Sequence, residues 1–117
     1  LQESDEHMDE NTCRLVAEFL AVYSNQTRVN ILCALRSGPK TVSELTEHAN
    51  ASMQNVSQHL RVMRDRGAVQ AEKRGQHVYY SIANIKFMYG IKMIRDALLE
   101  QLQSRASAIG ALGAKNK

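Results

Sequence analysis

Gln54, Asn55, Ser57, Gln58 and His59 lie within SMQNVSQHLRVMRDRG, residues 52–67, and are the side chains best suited to reading another molecule. A carboxamide holds a donor and an acceptor side by side, so glutamine or asparagine can bond two atoms of one base edge. Ser52 opens the stretch, and Arg61 and Arg64 continue it. Lys73, Arg74, Gln76 and His77 follow closely. Lys73 and Arg74 are cations suited to phosphate, which positions a duplex without reading its sequence. The plain alternative is an exposed polar helix face, and the basic stretch behind the amides favours DNA over it. His59, beside an apolar leucine in SQHL, is expected either as a structural hydrogen-bonding group or, when charged, as a phosphate contact.

The only thiols are Cys13 and Cys33. If the first two helices form a hairpin turning between Ser24 and Asn25, the cysteines differ by about 3 positions from level, roughly 4.5 Å along the axis at 1.5 Å per residue. They are then candidates for a thiol switch. The alternative is two small buried hydrophobes, the usual state of free cysteine. His48 beside Glu44 and Glu47 is a thin ligand set and reads as solvated surface, so no metal site is expected. No phosphate loop, GxGxxG, GxSxG or HExxH occurs, so no catalytic residue is assigned and no cofactor is expected.

The elements that must position these groups are legible from spacing. Ser52 is a good N-cap, Val56, Leu60 and Met63 form one apolar face, and Gly67 ends the helix. Residues 68–73 and 77–82 read as two strands around Arg74-Gly75-Gln76. Upstream, a first helix is expected from Asn11 or Thr12 to Tyr23. A second, with Ile31, Leu32 and Leu35 inward, runs to about Ser37, where Gly38-Pro39 ends it. Thr41-Val42 reads as extended, and Ser43 to His48 or Ala49 as a short third helix. A short helix, a tight turn and a polar-faced helix make a helix-turn-helix pattern.

Asn84 is expected to cap a last helix through about Gln103, with Phe87, Ile91, Ile94, Leu98 and Leu102 on one stripe. A small body leaves part of that stripe without a partner, so a homodimer interface is expected there. The alternative is packing back on the first helix. Residues 1–10 are expected to be a mobile acidic segment, 11–104 the folded domain, and 105–117 a frayed tail.

The chain has 117 residues, which suits one domain. Residues 28–95 carry eleven Lys or Arg against four Asp or Glu, a net of +7, so a polyanionic partner fits. No apolar run approaches the roughly 18 residues of a membrane span. No signal segment opens the chain, and two cysteines make no disulfide framework, so a cytoplasmic protein is expected. Leu1 is not a usual start, which suggests a processed terminus.

SQHLRVMRDRG followed by VYYSI resembles the ArsR/SmtB family of bacterial winged-helix regulators. SNQTRVNILCAL and TVSELTEHANASMQNVSQHL resemble the family's second helix and helix-turn-helix, so the likeness spans roughly residues 10–103. It implies a mainly α fold with a small β-hairpin wing, a winged helix-turn-helix dimerising through terminal helices. It also implies repression at an inverted-repeat operator in double-stranded DNA, relieved by an inducer. The segment SELTEHA lacks the cysteine pair of many metal-sensing relatives, and residues 84–104 lack the histidines of others. Cys33 in ILCAL resembles one cysteine of the sulfide- and persulfide-responsive members, but the last helix lacks the second. Two rivals remain: the same scaffold with a thiol-bound metal or metalloid such as arsenite, and a winged-helix module for protein–protein contact without DNA.

Overall fold

The computed structural model describes residues 8–115. Of the acidic N-terminal segment, residues 1–7 lie outside the described residues. The chain divides into two compact units, one ending at Asn84 and the other beginning at Ile85.

Helix α1 spans Glu10–Leu20, and a single 3-10 turn, Ala21–Tyr23, continues it. Asp9 caps α1, its carboxylate accepting from the Thr12 amide at 2.8 Å. Helix α2, Gln26–Leu35, starts on Asn25, whose side chain accepts from the Arg28 amide. Ile31, Leu32 and Leu35 are buried, as their spacing requires.

Helix α3 is Val42–Ala49, one residue longer at its start than the sequence suggests. The cause is a capping box. Thr41 accepts from the Glu44 amide, while the Glu44 carboxylate accepts from the Thr41 backbone at 3.0 Å. Two orphan amides are thereby satisfied, and Val42 is drawn into the first turn. Those bonds hold the Glu44 carboxyl below its ordinary range. Thr41 is extended as expected, and Lys40 before it pairs with Tyr80 through two backbone bonds of 2.8 and 2.9 Å. Asn50, left-handed at φ 52°, turns the chain from α3 towards α4.

Helix α4, Met53–Asp65, starts on Ser52, whose hydroxyl accepts from the Asn55 amide at 3.1 Å. Val56, Leu60 and Met63 are fully buried. Gly67 follows at φ 80°, a conformation that strains any residue with a Cβ. Ser52→Ala removes the cap and is expected to cost about 1 kcal/mol. A lower denaturation midpoint with an unchanged slope checks this.

Strands β1, Val69–Arg74, and β2, His77–Ile82, pair antiparallel from Val69↔Ile82 to Arg74↔His77. Two residues, Gly75 and Gln76, make the turn, and Gly75 takes φ 62°. The core joins Val22, α2, α3, α4 and the start of β1: Ile31, Leu32, Leu45, Leu60, Ala68 and Val69 are almost wholly shielded from water. One hydrophobic centre thus holds α3, α4 and the hairpin together.

The second unit is helix α5, Ile85–Lys115. It continues well past Gln103, so residues 105–115 are helical and not a frayed tail, and residues 116–117 lie outside the described residues. The apolar stripe stops near Leu102, but Ala-rich sequence still favours helix.

Candidate nucleic-acid interface

Helix α4 is amphipathic, and its two faces divide the labour. Val56, Leu60 and Met63 anchor it in the core, while Ser52, Gln54, Asn55, Ser57, Gln58, Arg61 and Arg64 are exposed. The amides are therefore free to meet a partner, and the burial behind them sets which face of the helix points outward.

The hairpin adds a second exposed surface containing Lys73, Arg74, Gln76 and His77. Antiparallel register puts Glu72, Arg74, His77 and Tyr79 on one face of the ribbon. Arg74 donates to Glu72 at 3.2 Å and lies 5.3 Å from the centre of the Tyr79 ring. Both partners are at the surface, where such a pair is weak and a phosphate can displace the carboxylate. A groove of about 430 Å³ lies between the wing and the start of α3, lined by Ser43, Glu44, Gln76 and His77 among others. Spacing along the chain gives no sign that α3 and the wing meet; the Lys40–Tyr80 pairing brings them together.

His59 is the exception on α4. It is half-buried, and its Nδ1 accepts a hydrogen bond from Arg28 Nε on α2 at 3.1 Å. Burial, with the Arg28 charge second, pushes the His59 imidazole below its ordinary value. Arg28 also donates to the Val22 carbonyl at 3.3 Å. In the sequence Arg28 is one cation in a basic body, and no local signal singles it out.

Both cysteines are free and exposed, which goes against the alternative of two buried hydrophobes. The Cys13 thiol faces the Met8 carbonyl at 3.7 Å. Cys33 lies in a groove of about 440 Å³ lined by Asn30, Ala34, Arg36, Ser37 and His48. No residue of α1 lines that groove. Among the described residues, no three His, Cys, Asp or Glu side chains gather closely enough to hold one metal ion. No described helix is long and apolar enough to cross a membrane.

Two helices expose apolar faces. Helix α1 buries no residue, and Leu15, Val16 and Leu20 are exposed. On α5, Phe87 and Ile91 are half-buried while Ile94, Leu98 and Leu102 are 49%, 55% and 58% exposed.

The family model described as bacterial regulatory protein, arsR family, matches residues 25–71, from the cap of α2 into β1. Transcriptional repressor SdpR of Bacillus subtilis is 34% identical over 59 residues, half of this chain and 66% of that protein. Transcriptional activator HlyU of Vibrio cholerae is 29% identical over 89 residues, 76% of this chain and 82% of its own. The crystal structure of Rv0081 from M. tuberculosis superposes with a TM-score of 0.75 at 30% identity, covering 84% of this chain and 99% of that one. The helix-turn-helix and two-stranded wing are the winged helix-turn-helix architecture. With the family model on its core and relatives that are transcriptional regulators, this chain belongs to the ArsR family of bacterial regulatory proteins, which are DNA-binding regulators and not enzymes.

Proposed function

We propose that the chain is a homodimeric, sequence-specific repressor that binds an inverted-repeat operator, with one α4 in the major groove of each half-site. The observation that carries this reading is the amide face of α4, exposed on a helix locked from behind by Val56, Leu60 and Met63. Lys73 and Arg74 of the wing, with Arg61 and Arg64 of α4, supply phosphate contacts around it. Gln76 and His77 belong to the same surface.

Dimerisation is supported by the exposed apolar faces of α1 and α5. An isologous dimer covers each face with its own copy and gives the two-fold symmetry that an inverted repeat demands. The sense of regulation is repression, as in the relative SdpR; the activator HlyU makes the opposite sense the outcome to exclude. A reporter behind the selected operator decides between them, with repression expected in its presence.

Selection from a random duplex pool tests the reading. The expected product is an inverted repeat with half-site centres about one helical turn apart. The affinity should fall steeply with salt, because releasing counterions from the duplex gains less as the bulk concentration rises. Weak, salt-insensitive binding with no selected sequence favours the protein–protein module instead.

The inducer acts, on this reading, through the cysteines. The exposure of both thiols supports it, since a reagent needs access to sulfur. A direct link between Cys13 and Cys33 requires α1 to approach the Cys33 groove. A soft metalloid such as arsenite needs thiolate ligands, and Cys13 and Cys33 are the two thiols this chain can offer it. Treatment with a disulfide, a persulfide or arsenite is expected to lower operator affinity in wild type, and not in Cys33→Ser. Mass spectrometry showing full modification at unchanged affinity removes the cysteines from the switch and leaves the repressor reading intact.

A further inference from the structure

We infer that Arg28 is a positioning residue for DNA reading, fixing the recognition helix α4 through a hydrogen bond to neutral His59. The inference rests on the DNA-binding reading above and names a residue outside the DNA-facing set.

Arg28 joins three elements. Its backbone amide donates to the Asn25 cap at 3.2 Å, so the residue sits in the first turn of α2. One guanidinium nitrogen donates to the carbonyl of Val22, a residue 1% exposed, in the turn that ends the first helix. Nε donates to His59 Nδ1, at 3.1 Å, on the central turn of α4. His59 is flanked by Gln58, which faces outward, and Leu60, which is fully buried. A bond at this position therefore fixes the rotation of α4 about its axis, and rotation decides where Gln54, Asn55 and Gln58 point. The apolar anchors set which face is inward, but dispersion contacts are non-directional. A planar guanidinium bonded to an imidazole lone pair is directional, and one charged partner makes the bond stronger than a neutral one.

The bond demands a particular protonation state. Nδ1 accepts, so the neutral imidazole carries its proton on Nε2. Protonation puts an N–H on Nδ1, facing an Arg28 N–H, and the bond becomes a donor–donor contact between like charges. The charged group acting on His59 from α2 is Arg28. On α4 itself, the residues at helical spacing are Asn55, Val56, Val62 and Met63, none of them titratable. Arg66, the C-cap of α4, lines a small cavity of about 60 Å³ with Arg28, Val22 and Val62, adding positive charge beside the guanidinium. In the preceding turn, Tyr23 is pushed up to about 12 by burial and stays neutral. No acid is among these groups, so the surroundings keep His59 unprotonated, in agreement with its lowered value. A histidine lowered in the folded state loses its contribution as pH falls: it is whole above the ordinary value of 6.5 and goes as pH drops through the lowered one.

The test uses the full chain and two probes: the duplex selected by wild type from a random pool, and the same duplex with its sequence scrambled. The readout is the ratio of the two affinities, which a general loss of charge or of protein does not mimic. Arg28→Ala is expected to lower the ratio roughly tenfold, the factor that about 1.4 kcal/mol represents. His59→Ala should match it, with the double variant no worse than either single one. His59→Asn puts an amide oxygen where Nδ1 lies and should restore the ratio. Wild type should lose selectivity as pH falls from 7.5 to 5, while His59→Asn should not. In parallel, NMR titration of the His59 ring should show the Nε2–H form and a value below 6.5, rising in Arg28→Ala.

Where Arg28→Ala lowers the melting temperature too far for binding studies, the His59 pair decides alone. His59→Asn behaving like His59→Ala, or an Arg28→Ala chain with full selectivity, overturns the positioning role by itself. A wild-type chain that prefers no duplex overturns the DNA reading, and the positioning role with it.

Discussion

Leu98→Asp yields a folded monomer that has lost its operator affinity. The substitution puts a carboxylate in the middle of the Ile94, Leu98, Leu102 face of α5, all of it exposed in the single chain. A buried, uncompensated charge in a packed interface costs about 3–5 kcal/mol. Two-fold symmetry places two of them in one interface. At about 1.4 kcal/mol per tenfold, even one weakens association by roughly a hundredfold to several thousandfold. Leu98 is 55% exposed, so the single chain keeps its fold and its helical circular dichroism. Sedimentation should report monomer. DNA affinity falls with it, because a linked second half-site binds at high effective concentration and a free one does not. A folded variant that stays dimeric moves the interface elsewhere, with Leu15 and Leu20 of α1 as the next faces to alter.

The double substitution Gln54→Ala, Gln58→Ala removes selectivity while leaving non-specific binding. Both side chains are exposed on α4, clear of Val56, Leu60 and Met63, so stability changes little. Each good bidentate contact discriminates by about 1–3 kcal/mol, so the pair accounts for roughly thirtyfold or more. Arg74→Ala acts differently. Its guanidinium pairs with Glu72 at the surface and is proposed to exchange it for phosphate, so its loss should weaken selected and scrambled duplexes alike and reduce the salt slope by about one. Replacing purine N7 by carbon in the selected duplex should reproduce the loss seen in the double glutamine variant and add nothing to it. Amide variants with unchanged selectivity take the reading role away from Gln54 and Gln58.

Much of this was legible in the sequence, for definite reasons. Val56, Leu60 and Met63 announce α4 because helical periodicity and burial have a common cause, and Ser52 and Gly67 bound it because caps are local chemistry. The second strand, His77–Ile82, begins and ends as its β-branched and aromatic residues suggest. The start of α3 was missed by one residue because Val42 has strand propensity and the Thr41–Glu44 capping box overrides it. Three further features lie beyond any local pattern. The Lys40–Tyr80 pairing joins residues forty positions apart. The Arg28–His59 bond spans thirty-one positions. The exposure of Cys13 and Cys33 depends on what packs over each helix, and cysteine's usual preference for the interior pointed the other way.

The most direct measurement is a titration of the full chain into its selected duplex at about 0.15 M salt, competed with the scrambled duplex, reading stoichiometry and affinity together. The account predicts two chains per duplex and a preference of about a thousandfold or more for the selected sequence. Equal affinity for both duplexes, or one chain bound per site, contradicts it.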